Sequence, residues 1–274
     1  MAFSTGGRIN TNIGAEQAYA ALVGINRELG VHQLRLATGK RVNSAADDPS
    51  GYVISKKMEG RIRSMTSAQD NVGDAQSVYG VAEGGYQTVA DILVQVKEKQ
   101  TRAANGAMGS DELDAIATEI NSLMSEIDDV KNQTKFNGVN LFTGSFASTF
   151  QVGEGSTETL TVSFSASTGA ASLLSVAAGS VTSANISSLT VDAGLATVNA
   201  EIGKIGAAVN RLSTKDANLT TAITNTEAAQ SRILDADVAK EQIQSAKLQI
   251  LQQTATAQLA QANSSPQAFL ALFR

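Results

Sequence analysis

Seven-residue spacing constrains this chain more than any other feature. Met58, Met65, Val72, Tyr79, Tyr86 and Leu93 fall seven apart, and three residues after each stand Arg61, Ala68, Ala75, Ala82, Val89 and Val96. An a/d seam sustained without interruption requires a long helix lying against partners of its own kind, and a strict seven-residue repeat winds such helices left-handed. Leu113, Ile116, Ile120, Leu123, Ile127 and Val130 repeat the alternation of three and four. So do Leu195, Val198, Ile202, Ile205, Val209 and Leu212, and the phase resumes at Leu219 and Ile223. The pattern predicts three bundled helices, two from the N-terminal half and one from the C-terminal half. NGAMGSDEL, residues 105–113, is the turn between the first two, with Ser110 placed to cap the second and Asp111 and Glu112 in its first turn.

Composition agrees with thin seams. Of 274 residues 42% are hydrophobic, but aromatics are only 4%, Trp is absent and there are two prolines. That material suits Ala and Leu packed along helices, in one large domain or two small ones. A net charge of −5 with no long basic run argues against a nucleic-acid partner. Cysteine is absent, so the chain has neither disulfides nor thiolate sites. No apolar run of about 18 residues marks a membrane span. The start, MAFSTGGRINTNIG, has no apolar core with a cleavage site, so export would need a route without a signal peptide.

Both ends carry helical stripes. Leu22, Ile25, Leu29, His32 and Leu36 keep one phase near the N-terminus. Toward the C-terminus Ile243, Ala246, Ile250, Gln253, Ala257 and Ala260 line one side, with Leu248, Leu251, Ala255, Leu259 and Ala262 on its flank. The two ends are predicted to pair. Between Lys247 and Arg274 there is no charged residue. An ordinary surface helix keeps charges on its wet face, so this one should meet protein on most sides.

The middle differs. From Leu141 to Ala200 the only charges are Glu154, Glu158 and Asp192, among abundant Ser and Thr. Phe150, Val152, Leu160, Val162 and Phe164 mark two short strands around GEGST, a hairpin with a Gly-containing loop. SASTGAASLLSVAAGSVTSANISS, residues 165–188, reads as strands and loops. The fold class is therefore mainly α, a long antiparallel coiled-coil-like bundle formed by both chain ends with a small β-hairpin region in the middle.

Nothing here assembles a catalytic, metal or cofactor site. His32 lies on an apolar stripe without a Cys or carboxylate at ligand spacing, which makes it a packing or interface histidine. Asp47 and Asp48 sit in NSAADDPSG, where Asp48 or Ser50 caps the helix that Pro49 begins. Asp235 and Asp237, two apart, point away from each other on a helix and share no ion. GEGST and Gly84–Gly85 do not match a phosphate-cradling loop.

Four stretches carry a family likeness. RLATGKRVNSAADDPSGYVIS (35–55) resembles the N-terminal motif of bacterial flagellins, and KFNGVNLFTG (135–144) their exit from the helical domain. SRILDADVAKE (231–241) and QILQQTATAQLAQANSSPQAFLALFR (249–274) resemble the flagellin C-terminal signature. The likeness is collinear and leaves about residues 145–190 unmatched, as in a short flagellin reduced to its core domains.

The resemblance implies a structural subunit that polymerises with copies of itself into the extracellular flagellar filament used for motility. Residues 1–42 with 235–274 would form the hairpin of the inner tube. Residues 43–140 with 190–234 would form the heptad bundle, and 141–189 the Ser/Thr-rich outer face. Subunit contacts are expected at Arg41, Asn43, Ser44, Asp47, Asp48 and Gly51, and at Leu251, Gln253, Leu259, Gln261, Asn263, Leu270, Phe273 and Arg274. Further implied partners are an export chaperone, the secretion apparatus, and hook-associated and cap proteins. Ser and Thr within 143–190 are candidate O-glycosylation sites. Flagellins detected by the vertebrate flagellin receptor carry an Arg and a Leu in the helix matching LVQVKEKQTRAAN (93–105). Here those positions are Gln95 and Lys99, with Glu119 retained, which predicts weak receptor activation.

Two other classes compete. A hook–filament junction protein would share the terminal helices but would not polymerise alone. A signalling helical hairpin would explain the heptads but not the uncharged C-terminal helix.

Overall fold

The computed structural model describes residues 11–143, 146–164 and 168–271, with side chains described as far as Ser264. Three long helices come first: α1 (Ile13–Thr38), α2 (Pro49–Ala103) and α3 (Ser110–Gln133). The middle holds strands β1 (Lys135–Phe136), β2 (Val139–Asn140), β3 (Ala147–Gln151) and β4 (Thr159–Ser163), the short helix α4 (Ala170–Leu174) and a 3₁₀ turn at Ile186–Ser188. Two more long helices follow, α5 (Val191–Leu234) and α6 (Val238–Ala271). The chain divides into two compact units, one drawn from residues up to Gly60 and from Thr226 onward, the other Arg61–Asn225.

The Arg61–Asn225 unit holds the main core. Met65, Ala68, Val72, Ala75, Tyr79, Ala82, Tyr86, Val89, Leu93 and Val96 on α2 are all buried, as the predicted a/d seam requires, whereas at its start Met58 is half-buried and Arg61 is exposed and paired with Glu154. On α5 the buried positions Val191, Val198, Ile205, Leu212 and Leu219 fall strictly seven apart. On α3 the buried set is Ile116, Ala117, Ile120, Met124 and Ile127. Met124 is fully enclosed while Leu123 is half-buried, because the contact stripe runs along i+4 at that point. Ser110 is not the cap of α3. Gly109 takes that position, and Glu112 reaches back to accept its N–H at 3.1 Å, the carboxylate half of a capping box.

β3 and β4 pair antiparallel with Phe150 opposite Leu160, the predicted hairpin. β1 and β2 form a second, around Asn137 (φ 48°) and Gly138 (φ 78°). Two consecutive left-handed residues are the type I′ turn that Asn-Gly favours. In the stretch read as strands and loops the described residues hold no strand: Ala170–Leu174 are helical and Ile186–Ser188 form the 3₁₀ turn, while the rest are the turns and loops expected; Ser165–Ser167 lie outside the described residues. Ala170, Leu173 and Leu174 all point into the core, a spacing a strand could not satisfy. Side chains of the long helices bind the rest of this irregular backbone. Asn121 donates to the Val181 carbonyl at 2.8 Å and accepts its N–H at 3.0 Å. Asp128 accepts the Ala170 N–H at 3.0 Å, and Gln100 donates to the Ile186 and Leu189 carbonyls. Buried backbone groups without a ladder need such partners.

Five of the chain's few aromatic rings gather in this core. Tyr79, Phe142 and Phe146 each lie within 6.4 Å of Phe164, and the Tyr86 ring lies 4.6 Å from that of Phe142. Gly85 on α2 leaves the room they need: a Cβ there would fall 2.7 Å from the Phe142 ring and 2.9 Å from the Thr134 hydroxyl.

In the other unit α1 and α6 run against each other. Asn12 caps α1 by accepting the Ala15 N–H at 3.1 Å, and Gly39 (φ 67°) ends it in the left-handed conformation.

Candidate assembly interface

The segment from Gly39 to Gly51 is laid onto the junction between α5 and α6. The Arg41 N–H donates to the Leu234 carbonyl at 2.7 Å, and the Ala236 N–H donates to the Gly39 carbonyl at 2.9 Å. The Arg41 guanidinium adds a bond to the Ile233 carbonyl at 2.8 Å, and Gln230 donates to the Ser55 carbonyl at 3.1 Å. Val42, only 2% exposed, plugs the joint. α5 therefore does not continue through LDADVAKE as one helix. It ends at Leu234, and Asp237 restarts the chain by accepting the Lys240 N–H at 3.2 Å as the cap of α6. Asp235 and Asp237 flank a break rather than sharing a helix.

Within the loop, Asp47 accepts the N–H groups of Ser44 (2.9 Å) and Asn43 (3.0 Å) and the Ser44 hydroxyl (3.2 Å). These bonds, the one from the Ser44 N–H foremost, hold its carboxyl below the ordinary carboxylate range. The Asn43 amide donates to the Lys40 carbonyl at 3.0 Å. Asp48, not Ser50, is the cap of α2: its carboxylate accepts the Gly51 N–H at 2.9 Å, with Pro49 in the first helical position. Gly51 is buried, and a Cβ on it would fall 2.4 Å from that carboxylate. The six predicted residues of this loop thus come together as one hydrogen-bonded turn that leaves Arg41, Ser44 and Asp47 exposed.

The α1–α6 seam is thin. Leu22, Ile25, Leu29, His32 and Leu36 face inward as predicted, meeting Leu248, Ala255, Leu259 and Ala262. Polar contacts cross it too. Asn12 donates to the Ala262 carbonyl at 2.8 Å, Gln252 donates to Asn26 at 2.7 Å, and His32 Nδ1 contacts the buried Glu241 carboxylate. The Arg35 guanidinium lies 3.6 Å from the same carboxylate. Sequence spacing could not reveal this cluster, whose members are some two hundred positions apart.

The opposite side of α6 faces outward. Ile243 is 66% exposed, Ile250 64% and Leu251 40%, with Ala246, Gln253, Ala257 and Ala260 exposed beside them. α1 adds exposed Tyr19, Val23 and Leu34. Of the other predicted contact residues, Gln261 and Asn263 are exposed and Leu259 is half-buried against α1. Leu270 lies on α6 beyond the last described side chain, and Phe273 and Arg274 lie outside the described residues.

In the other unit Gln95 is exposed on α2, and the Lys99 ammonium pairs with Glu119 on α3. Ser156, Thr157, Thr161, Ser172 and Ser180 are exposed, whereas Thr168 is buried. Among the described residues no helix is long and apolar enough to cross a membrane, and no His/Asp/Glu group could hold a metal.

Residues 9–147 match the model of the bacterial flagellin N-terminal helical region, and residues 189–273 that of the bacterial flagellin C-terminal helical region. Flagellin FlaB1 of Treponema pallidum (strain Nichols) is 33% identical over 97% of this chain and 99% of its own length. The flagellin of Bacillus subtilis (strain 168) is also 33% identical, over 97% of this chain and all of its own. Among solved structures, a Vibrio parahaemolyticus protein assigned to the flagellar hook-associated class superposes with a TM-score of 0.58 over 69% of this chain and all of its own. At 16% identity that likeness speaks for the fold alone.

Proposed function

The chain belongs to the bacterial flagellin family, a family of structural proteins, and is a subunit of the flagellar filament; we propose that it polymerises through its two paired ends. The observation that carries this reading is the outward stripe of α6. Ile243, Ile250 and Leu251 stand in water on a helix that has no charged residue after Lys247. Apolar patches of this kind mark protein–protein contact. Uncharged Gln, Ser and Thr between them tolerate burial because amides and hydroxyls find partners there, whereas an unpaired Lys would not. An open helical polymer needs one patch to meet a different patch on the next copy. The exposed edge of the Asn43–Gly51 turn is the complementary surface in this proposal, held rigid by Asp47 and Asp48.

The finer assignments are proposals of the same kind. The hairpin of 1–42 with 235–274 would line the inner tube, and an export chaperone would cover the α6 stripe before secretion outside the cell. Hook-associated and cap proteins would meet the filament's ends, and exposed Ser and Thr of 143–190 would be open to glycosylation. Gln95 and the Glu119-paired Lys99 would make a poor receptor epitope; strong activation by purified monomer would contradict this.

The test is seeded growth. Full-length chain added to short filament fragments should elongate into helical filaments under the electron microscope, and a chain ending at Lys247 should not. Equal elongation by both would remove α6 as the assembly element. A chain that grows on its own seeds also excludes a junction role.

A further inference from the structure

Two Asn–Gly pairs stand exposed on the Arg61–Asn225 unit: Asn105–Gly106 in the turn between α2 and α3, and Asn137–Gly138 in the β1–β2 hairpin. An asparagine amide followed by glycine is open to attack by the glycine nitrogen, because no Cβ shields that nitrogen and the glycine backbone turns freely. Exposure does not separate the two pairs. Geometry does.

Asn105 Oδ1 accepts the Ala107 N–H at 3.3 Å, an Asx turn that folds the amide over the intervening Gly106 nitrogen. Attack of that nitrogen on Cγ turns Oδ1 into an oxyanion, and the Ala107 N–H is already aimed at it. α2 ends at Ala103 and α3 begins at Ser110, so neither helix holds the Asn105–Gly106 peptide in its ladder. At Asn137 the same dipeptide is locked. Its φ is 48°, that of Gly138 is 78°, and Phe136 pairs with Val139 across the turn. Closing a five-membered ring on Cγ would swing the Asn137–Gly138 peptide out of this turn and part the strands. The strands are anchored against that. The Leu141 N–H donates to the Thr134 carbonyl at 3.0 Å, the Asn140 amide donates to the Lys131 and Asn132 carbonyls at 2.8 and 2.9 Å, and Leu141 and Phe142 are fully buried.

We propose that Asn105 is a site of spontaneous deamidation in the folded chain, and that the hairpin protects Asn137 from the same reaction. The Gly106 nitrogen bonds to Asn105 Cγ, the Cγ–Nδ2 bond breaks, and the proton of Gly106 leaves with the amide nitrogen as ammonia. Water then opens either side of the cyclic imide, giving aspartate, or isoaspartate in which the main chain runs through the former side-chain carbon. Nothing is oxidised or reduced. Either product places a new carboxylate in an open groove of about 600 Å³ that Asn105 lines with Val94, Lys97, Arg102 and Leu195. Isoaspartate also lengthens the backbone of the turn ahead of the Gly109 cap of α3.

The test is to hold the full-length chain at neutral pH, digest it at intervals and follow the peptides that carry Asn105 and Asn137 by mass spectrometry, with electron-transfer fragmentation to tell isoaspartate from aspartate. In the folded chain Asn105 should convert at least about tenfold faster than Asn137, and in urea, where turn and hairpin are both lost, the two rates should converge. Gly106→Ala suits the fold, since a Cβ there meets nothing within 4 Å, and should slow conversion of Asn105 by about tenfold or more by shielding the attacking nitrogen. Equal rates at the two sites in the folded chain overturn the proposal. So does an Asn105 that stays intact in the folded chain while converting in urea, because the turn would then protect it. Conversion unchanged in Gly106→Ala overturns attack by the Gly106 nitrogen. The reaction is intramolecular and needs no polymer, so its failure is separable from failure of the assembly reading.

Discussion

Adjacent glycines on α2 illustrate what single atoms decide. A Cβ on Gly85 would strike Phe142 and Thr134, whereas nothing lies within 4 Å of one on Gly84. Gly85→Ala should therefore destabilise by about 1–3 kcal/mol through overpacking, and Gly84→Ala should stabilise by up to about 1 kcal/mol through helix propensity. Paired urea titrations read the opposite signs. In sequence the two are indistinguishable, because the difference comes from a ring far along the chain. Asp47 yields a pH prediction. Its folded-state carboxyl is lowered, so its contribution to the turn is present above the unfolded value of about 3.9 and is lost as pH falls through the folded value. Asp47→Asn should weaken protection of the Asn43 and Ser44 amides at neutral pH and abolish its acid-side decline, as hydrogen exchange would measure.

At the scale of elements, periodicity was a faithful guide where one helix packs one face. The α2 seam and the inward side of α1 needed no more than spacing. It was less so where a stripe widens, as on α3. Met124→Ala should cost about 2–5 kcal/mol as a cavity in a filled core, and Leu123→Ala clearly less, because Leu123 keeps solvent on one side. Chemical denaturation of the two variants checks this. The β1–β2 hairpin had a local signal in Asn137–Gly138 that the apolar pattern of so short a pair did not reinforce. The Leu234–Asp237 break had none: a strong helical pattern runs through it, and what ends the helix is backbone pairing with Gly39 and Arg41, far away in sequence. The cluster at Glu241 was illegible for the same reason.

For the molecule as a whole, stability and assembly should separate. Ile250 is 64% exposed in the subunit, so Ile250→Lys should change subunit stability by no more than about 0.5 kcal/mol. In the assembled polymer the same ammonium would be buried without a partner, and seeded elongation should fail. Normal elongation of the Ile250→Lys chain would place the contact elsewhere. The junction of Gly39–Val42 with Leu234–Ala236 also sets an order of events. Pairing the outer ends of the chain directly would close a loop of nearly its full length, at an entropic cost that grows with that length. Once Gly39 and Ala236 are tied, each further rung toward Asn12 and Ala262 closes only a few residues more. The hairpin is thus a zip fastener with its slider parked at the junction: it closes outward, opens from the tips, and exposes its last turns first to whatever is to be added.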